Sequence, residues 1–282
     1  MVPEHRGCGE IDGGDPPSQL PPPAPGYGLA VTVTPGWPVA SAIALLVALT
    51  VGAYAVGRLP GILGTVVAAA RALGQLSLAA LVITAVIDNL ALSLLVLALM
   101  FTVAVVTTVR RVGAPSAWLW ATVAMLAGLV PVAAIILLTR TIPPRGIALI
   151  PVFGILTGNT MNGHTLVCRR AFAALREERE MYDAWLALGF ERTQAIGRIV
   201  HRHVPEALIP GLDQVRTAGV VTLPGAFIGV LLGGGSPAQA AAAQVLVLMG
   251  IMAAQTVTAV VAEALIRRSR LLPRDLAASL RP

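Results

Sequence analysis

Apolar segments long enough to cross a membrane fill most of the chain, and they constrain its fold more than any other feature. About twenty predominantly apolar residues span the hydrocarbon core of a bilayer as one α-helix. Seven segments reach that length, at about 37–57, 66–87, 89–109, 117–138, 147–168, 207–232 and 240–266. Only 12% of the residues are charged, against roughly 25% in soluble domains. The sequence therefore predicts an all-α, multi-pass membrane protein with about seven transmembrane helices.

The first 36 residues differ from this pattern because they are rich in proline and glycine and contain no long apolar run. Such a composition cannot bury a hydrophobic core, so we expect residues 1–36 to form a disordered segment. A transmembrane domain over 37–270 and a short cytosolic tail over 271–282 complete the predicted organisation. The two cysteines, Cys8 and Cys168, lie in unlike contexts, which argues against a disulfide framework.

Arginines cluster at the ends of the apolar segments, at 110–111, throughout 169–205 and after the last segment. Loops rich in basic residues remain in the cytosol. With seven spans, this rule predicts that the N-terminus lies outside and the C-terminus in the cytosol. We expect the membrane to be the cell inner (plasma) membrane. Because the basic residues follow the ends of the spans, they indicate topology and argue against a nucleic-acid-binding patch.

The chain contains no lysine, since all 20 of its Lys and Arg residues are arginine. A P-loop requires a lysine that contacts the nucleotide phosphates. We therefore expect no ATP site on this chain, and any ATP that drives it must bind a separate chain. The sequence also shows no nucleophile–base pair and no metal-hydrolase spacing, so we expect the chain not to be an enzyme.

A polar island at residues 169–205 interrupts the apolar series. Good helix formers fill 171–188, and Gly189 follows, where a left-handed residue commonly ends a helix. A second helix is predicted over about 191–204, with Pro205 as its end. The apolar side chains near this hinge indicate a surface that packs on a partner: Trp185, Leu186, Leu188 and Phe190. A loop with its charges facing water is the alternative.

The segment Asp183-Ala184-Trp185-Leu186-Ala187-Leu188-Gly189 resembles the coupling-loop motif of ABC-transporter permeases, Glu-Ala-Ala-x-x-Leu-Gly, with departures at its first and third positions. Before it stands Ile150-Pro151-x-x-Gly154-Ile155-x-x-Gly158-Asn159-x-Met161. After it stands Leu208-Ile209-Pro210-x-x-Asp213-x-x-Arg216-Thr217-x-Gly219-Val220-Val221-x-Leu223-Pro224-Gly225. In this order the three blocks resemble the iron-export ABC permease family, the Fet-B-like permeases, over roughly residues 40–265. Plant relatives of that family are linked to aluminium tolerance.

The resemblance implies a permease subunit that works with a separate ATPase subunit, usually as two permeases and two ATPases. It implies a coupling helix at about 180–188 in a groove of the ATPase, with Trp185 as an exposed anchor. The docking residues would be Asp183, Ala184, Trp185, Leu186, Leu188 and Gly189. ATP would bind the partner and no cofactor would bind this chain, whose cargo would be iron or another metal ion. The residues alone also allow a stand-alone secondary transporter or channel, or a membrane scaffold.

Met161, His164 and Cys168 on the fifth apolar segment are spaced i, i+3, i+7, which places them on one helix face. Thioether, imidazole and thiol groups bind soft or borderline metals. Together with Asn159, these residues predict a substrate or metal path. The alternative is ordinary packing, with His164 hydrogen-bonded across the bundle.

Asp213 and Arg216 are i, i+3 neighbours and are predicted to form a salt bridge. Pro210 precedes the pair and Pro224-Gly225 follows it, so the segment is predicted to bend. We expect these residues to form a hinge that couples the polar island to the pore. A structural pair at the membrane surface is the alternative.

Overall fold

The protein folds into a bundle of α-helices in a computed structural model that describes residues 36–280. Helices α1 to α10 comprise Trp37–Val56, Ile62–Val86, Leu90–Arg111, Trp118–Leu138, Gly146–Glu177, Arg179–Ala187, Arg192–Thr217, Gly225–Leu232, Pro237–Arg267 and Arg274–Ser279. A 3₁₀ turn, Pro115–Ala117, leads into α4. The predicted all-α class is confirmed. The disorder predicted for the N-terminal segment concerns residues that, apart from Gly36, lie outside the described part of the chain.

Five helices among the described residues are long and apolar enough to cross a membrane, namely α1, α2, α3, α9, and α4 with its preceding turn. This confirms a multi-pass membrane protein, although the count is five rather than the predicted seven. Helix α5 does not qualify because Asn159 and Asn162 lower the hydropathy of its apolar half. Helix α7 does not qualify because it begins within the charged island.

Helices α5 and α9 form the centre of the bundle and pack against α3, α4 and α7. Gly128 permits the close approach of α4 to α9, because a Cβ atom there would collide with the Thr258 side chain and the Ala254 carbonyl. Helices α1 and α2, in contrast, bury none of their side chains within the described residues. Helix α1 is apolar all round and is therefore expected to face lipid, whereas α2 also carries the exposed polar residues Arg71 and Gln75.

The sixth predicted span, 207–232, is not a single helix. Helix α7 starts inside the island, runs through Pro205 and Pro210, and ends at Thr217. A turn around Gly219, whose φ is +84°, then leads to Pro224 and the short α8. The predicted helix end at Pro205 is wrong. Both prolines lie on the exposed side of α7, where the carbonyl groups that they leave unpaired can find other donors.

The polar island also divides differently from the prediction. Helix α5 continues past Cys168 to Glu177, and the break falls at Glu178, so the helix predicted over 171–188 is two helices. The predicted hinge at Gly189 is confirmed, because this residue has a φ of +87°. The next helix, α7, then begins with a capping box between Glu191 and Gln194.

The end of the described chain folds back onto the island. Four leucines of this segment are buried in the same core as α5, α6 and α7: Leu271, Leu272, Leu276 and Leu280. The predicted tail over 271–282 is therefore, as far as residue 280, an integral part of the core.

Candidate docking helix and polar groove

The inner face of α6 fixes this helix to the bundle. Tyr182 is completely buried, and its hydroxyl donates a hydrogen bond of 2.9 Å to the carbonyl of Leu280. Trp185 and Leu186 pack, partly buried, against the same core. A helix of nine residues is too short to be stable alone, so these contacts determine its position.

The Trp185 side chain packs within the turn at Gly189 and does not project into solvent. Its ring meets Phe190 edge to face, with centroids 5.1 Å apart. The Arg198 guanidinium on α7 lies 4.6 Å from the Trp185 centroid and 4.5 Å from the Phe190 centroid. The prediction of an exposed aromatic anchor is wrong, because α7 folds back over α6 and half-buries the ring. Aromatic and cation–π contacts of this kind brace the turn at Gly189.

The outer face of α6 is apolar and exposed. Met181, Ala184 and Leu188 are spaced i, i+3, i+7 and form what we call the docking face. The exposed fractions of Met181 and Leu188 are 44% and 71%. Asp183 is exposed as well, but it lies off this face and pairs with Arg179 at 3.2 Å.

The six residues predicted to dock a partner therefore divide into three groups. Ala184 and Leu188 lie on the docking face, and Gly189 is exposed at its end. Asp183 lies beside the face, whereas Trp185 and Leu186 turn towards the core. Because sequence spacing does not show which side of a short helix is covered, Met181 was not predicted.

A set of ion pairs ties the junction between α5 and α6 to α7. Glu178, at the break, accepts hydrogen bonds from Arg202 and from His203 Nε2, the latter at 2.9 Å. One turn further along α7, Glu206 pairs with Arg170 of α5 at 3.3 Å. These contacts join the three helices of the island into one unit.

Helix α10 holds the island from the other side. Arg176 of α5 donates to Asp275 at 2.7 Å, and Arg179 of α6 donates to the carbonyl of Ser279. The hydrogen bond from Arg176 lowers the pKa of Asp275 below its ordinary value. Burial of Tyr182 raises the pKa of its phenol, against the opposing charges of Arg192 and Arg179.

The predicted metal stripe is packed between helices. His164 is buried, and its Nδ1 lies 2.9 Å from the Thr108 hydroxyl of α3. The Cys168 sulfur lies 3.8 Å from His164 Nε2. Met161 packs against a small cluster of α3 and α4. The side chain of Asn159 donates back to the Ile155 carbonyl of its own helix at 2.9 Å. Within residues 36–280, no three His, Cys, Asp or Glu side chains gather where they could hold a metal ion.

A polar groove of about 540 Å³ lies between α5, α7 and α9. Its floor is Gln255, which is buried and donates from Nε2 to the Asn159 carbonyl at 2.9 Å. Gly163 and Gly211 make room for this amide, because a Cβ atom at either would press on the Gln255 side chain. The other polar side chains that line the groove are Arg111, Asn162, Thr165, Arg169 and Gln214.

The predicted hinge residues lie along α7 and at the start of α8. Arg216 Nη1 donates to Asp213 Oδ1 at 3.4 Å, so the predicted salt bridge forms, between two exposed side chains. Pro210 lines the groove within α7, and Pro224 and Gly225 begin α8. The bend predicted for this segment lies after Thr217.

Comparison with known proteins places this arrangement in a family. The profile of an uncharacterised protein family, UPF0014, matches residues 37–271, which include every helix from α1 to α9. The chain belongs to the UPF0014 family of membrane proteins. No solved structure shows significant similarity to it.

Three proteins with sequences similar to this UPF0014 chain carry informative names. The UPF0014 membrane protein STAR2 of Oryza sativa subsp. japonica is 32% identical over 247 residues, covering 86% of each chain. The Protein ALUMINUM SENSITIVE 3 of Arabidopsis thaliana is 32% identical over 112 residues, 40% of this chain and 41% of its own. The Probable iron export permease protein FetB of Escherichia coli (strain K12) is 26% identical over 129 residues, 46% of this chain and 50% of its own.

The groove of this UPF0014 protein was missed by sequence reasoning. Arg111, Gln214 and Gln255 were not predicted as site residues, because they stand on three helices that are far apart along the chain. One available indication was that Gln255 is a polar residue inside an apolar span, since such residues usually face the bundle interior. Its partner Asn159 is 96 residues away, so only the fold shows the contact.

Proposed function

We propose that the chain is the membrane-spanning permease subunit of an ABC transporter that exports iron or another metal ion. A separate ATPase subunit binds and hydrolyses the ATP. The observation that carries this proposal is the exposed docking face of α6, on a short helix whose other side is locked into the core. An apolar face that residues 36–280 leave uncovered, at the charged end of a membrane bundle, suits a soluble partner.

The connections of α6 suit the transmission of a movement. Glu178 links α6 to α7 through Arg202 and His203. The Tyr182 hydroxyl links it to the end of the chain. Helix α7 continues without a break from the island to Thr217, past the groove. A partner that displaces α6 would therefore move one wall of the groove.

Metal export is carried over from the name of the Escherichia coli relative, a probable iron export permease. The aluminium-related name of the Arabidopsis thaliana relative points to metal handling as well. Among the residues proposed from the sequence for a substrate path, Asn159 lines the groove. Met161, His164 and Cys168 contribute to packing around α3 and α5.

The polar residues of the groove also favour an assembly of two permease chains. Asn162, Gln214 and Arg169 are exposed on its rim. Gln255 on its floor stands twelve residues before Arg267, the end of α9. That corresponds to about 18 Å of helix, well inside a bilayer. Hydrocarbon cannot satisfy such polar groups, so a second copy that faces the groove across a shared water-filled path would satisfy them.

Transport measured in vesicles tests the proposal. Inverted membrane vesicles that contain the permease and its partner ATPase subunit should accumulate radioactive iron only when ATP is present. An ATPase whose P-loop lysine is replaced should abolish this uptake, because hydrolysis resides on that subunit. Uptake that proceeds without the ATPase and follows a proton gradient would instead establish a stand-alone secondary transporter.

A further inference from the structure

The side chains that line the polar groove show a consistent chemical preference. Seven of them are polar: Arg111, Asn159, Asn162, Thr165, Arg169, Gln214 and Gln255. Two are permanently cationic, four are neutral amides and one is a hydroxyl. Carboxylate, thiolate and imidazole groups, the usual protein ligands of a bare metal ion, do not line it.

The two arginines are available to a ligand. Within residues 36–280, Arg111 and Arg169 form no salt bridge with any carboxylate. Arg169 Nη2 makes one hydrogen bond, of 3.4 Å, to the Arg111 carbonyl. A guanidinium carries five N–H donors, so most of the donors of Arg169 have no partner among residues 36–280 at the mouth of the groove.

The nearest carboxylates on α7 do not neutralise this charge. Glu206 pairs with Arg170 at 3.3 Å, and Asp213 pairs with Arg216 at 3.4 Å. Neither carboxylate lines the groove. The groove therefore presents two positive charges at one end and amide donors and acceptors on its rim and floor.

From this lining we infer that the groove binds an oxygen-rich anion, bearing carboxylate or phosphate groups. Its volume of about 540 Å³ suits a small molecule rather than a single ion. Resting on the proposed function, this assigns the cargo as a metal ion within an anionic chelate. The arginines hold the oxyanion groups through charge-assisted hydrogen bonds, and Asn159, Asn162, Gln214 and Gln255 contact the remaining polar atoms.

Binding to the purified full-length protein in lipid nanodiscs tests this assignment without the ATPase. The probes are ferric citrate, citrate alone, inorganic phosphate and ferrous ion alone. We expect ferric citrate or another of the anionic probes to bind and ferrous ion alone not to bind. Citrate without iron distinguishes recognition of the carboxylates from recognition of the metal, and phosphate distinguishes the two oxyanion types.

Variants at the mouth of the groove connect binding to the arginines. Arg169→Gln should weaken binding of the anionic probe about tenfold, and Arg169→Lys should retain most of it, because the charge remains. Arg110→Gln is the matched control, since Arg110 is an exposed neighbour that does not line the groove. Ferrous ion that binds while every anionic probe fails, or Arg169→Gln that binds the anion like the unaltered protein, would overturn the inference.

The two sets of experiments distinguish failure of the groove assignment from failure of the proposed permease function. ATP-dependent iron uptake by vesicles without any binding of anionic probes would refute the inference and leave the permease function standing. Arginine-dependent binding of an anion without ATP-dependent uptake would refute the permease function and leave the groove assignment standing.

Discussion

Tyr182 connects α6 to Leu280, the last described residue, through one hydrogen bond inside the apolar core. Replacing it with phenylalanine keeps the ring packing and removes only the bond from the hydroxyl to the Leu280 carbonyl. We expect a loss of about 1 kcal/mol in the free energy of unfolding, because that carbonyl is left without its donor. Hydrogen exchange should rise over residues 271–280. Unchanged exchange there would show that the bond does not hold the tail.

The hydrogen bond from Tyr182 also depends on pH, because only the protonated phenol can donate it. Burial raises the pKa of Tyr182 above its ordinary value of 10.0. A raised pKa means that the neutral phenol is favoured in the folded state, so its contribution is complete below pH 10 and is lost as pH rises through the folded pKa. The difference in stability between Tyr182→Phe and the unaltered protein should therefore shrink in strongly alkaline solution.

Two glycines test the packing of the transmembrane core. A Cβ atom at Gly128 would collide with Thr258 and with the Ala254 backbone, whereas one at Gly158 would meet nothing within 4 Å. Gly128→Ala should therefore destabilise the protein by about 1–3 kcal/mol through overpacking. The control Gly158→Ala should stabilise it slightly, by about 0.5–1 kcal/mol, because alanine favours the helix. Thermal unfolding in detergent measures both, and equal effects would contradict the contact between α4 and α9.

At the scale of elements, helix α10 is the support of α6. Leu276→Ala removes a buried side chain and should cost about 2–5 kcal/mol. Hydrogen exchange should then rise in α6, over 179–187, while α4 stays protected. Exchange that rises in α10 alone would show that α6 is held independently.

Asp275→Asn is the matched control for that experiment, since it removes an exposed ion pair with Arg176 from the same short helix. Exposed pairs contribute little, typically below about 1 kcal/mol. The lowered pKa of Asp275 means that its pair is present at neutral pH and is lost only as pH falls through a value below 3.8. We therefore expect Asp275→Asn to leave exchange in α6 nearly unchanged at neutral pH.

The elements that sequence predicted well are those set by local chemistry. The length of the apolar segments predicted the first four spans and the last one. Glycine at position 189, which has no side chain, predicted the left-handed turn there. The elements that it misjudged depend on contacts between distant residues. The break at Glu178 is fixed by Arg202 and His203, and α7 passes Pro205 because the bundle supports it.

At the scale of the whole molecule, the arrangement of the helices predicts which ends share a side of the membrane. Ala187 at the end of α6 and Arg145 at the start of α5 lie at opposite ends of the bundle. With the predicted orientation, and with α5 crossing the membrane as predicted for residues 147–168, a cysteine at 187 should react with an impermeant thiol reagent only in inverted vesicles. A cysteine at 145 should react only in intact cells. Both cysteines labelled from one side would contradict the arrangement.

Only part of the candidate site could be predicted from the sequence, because some of its residues are far apart along the chain. The island and its helix α6 are contiguous in sequence, so composition showed them. The groove is not contiguous, because Arg111, Asn159, Gln214 and Gln255 come from four helices and meet only in the folded bundle. The burial of Trp185 could not be predicted from the sequence either, since Arg198 and Phe190 cover its ring only when α7 folds back.

Co-purification with the ATPase tests the central claim that α6 docks a partner. Leu188→Asp places a charge on the exposed docking face without disturbing the core, because the Leu188 side chain is 71% exposed. Thr193→Asp adds the same charge to an exposed position on a different helix of the island, α7. The account predicts that Leu188→Asp loses the ATPase while Thr193→Asp and the unaltered protein retain it. An ATPase that co-purifies equally with all three proteins would contradict the account.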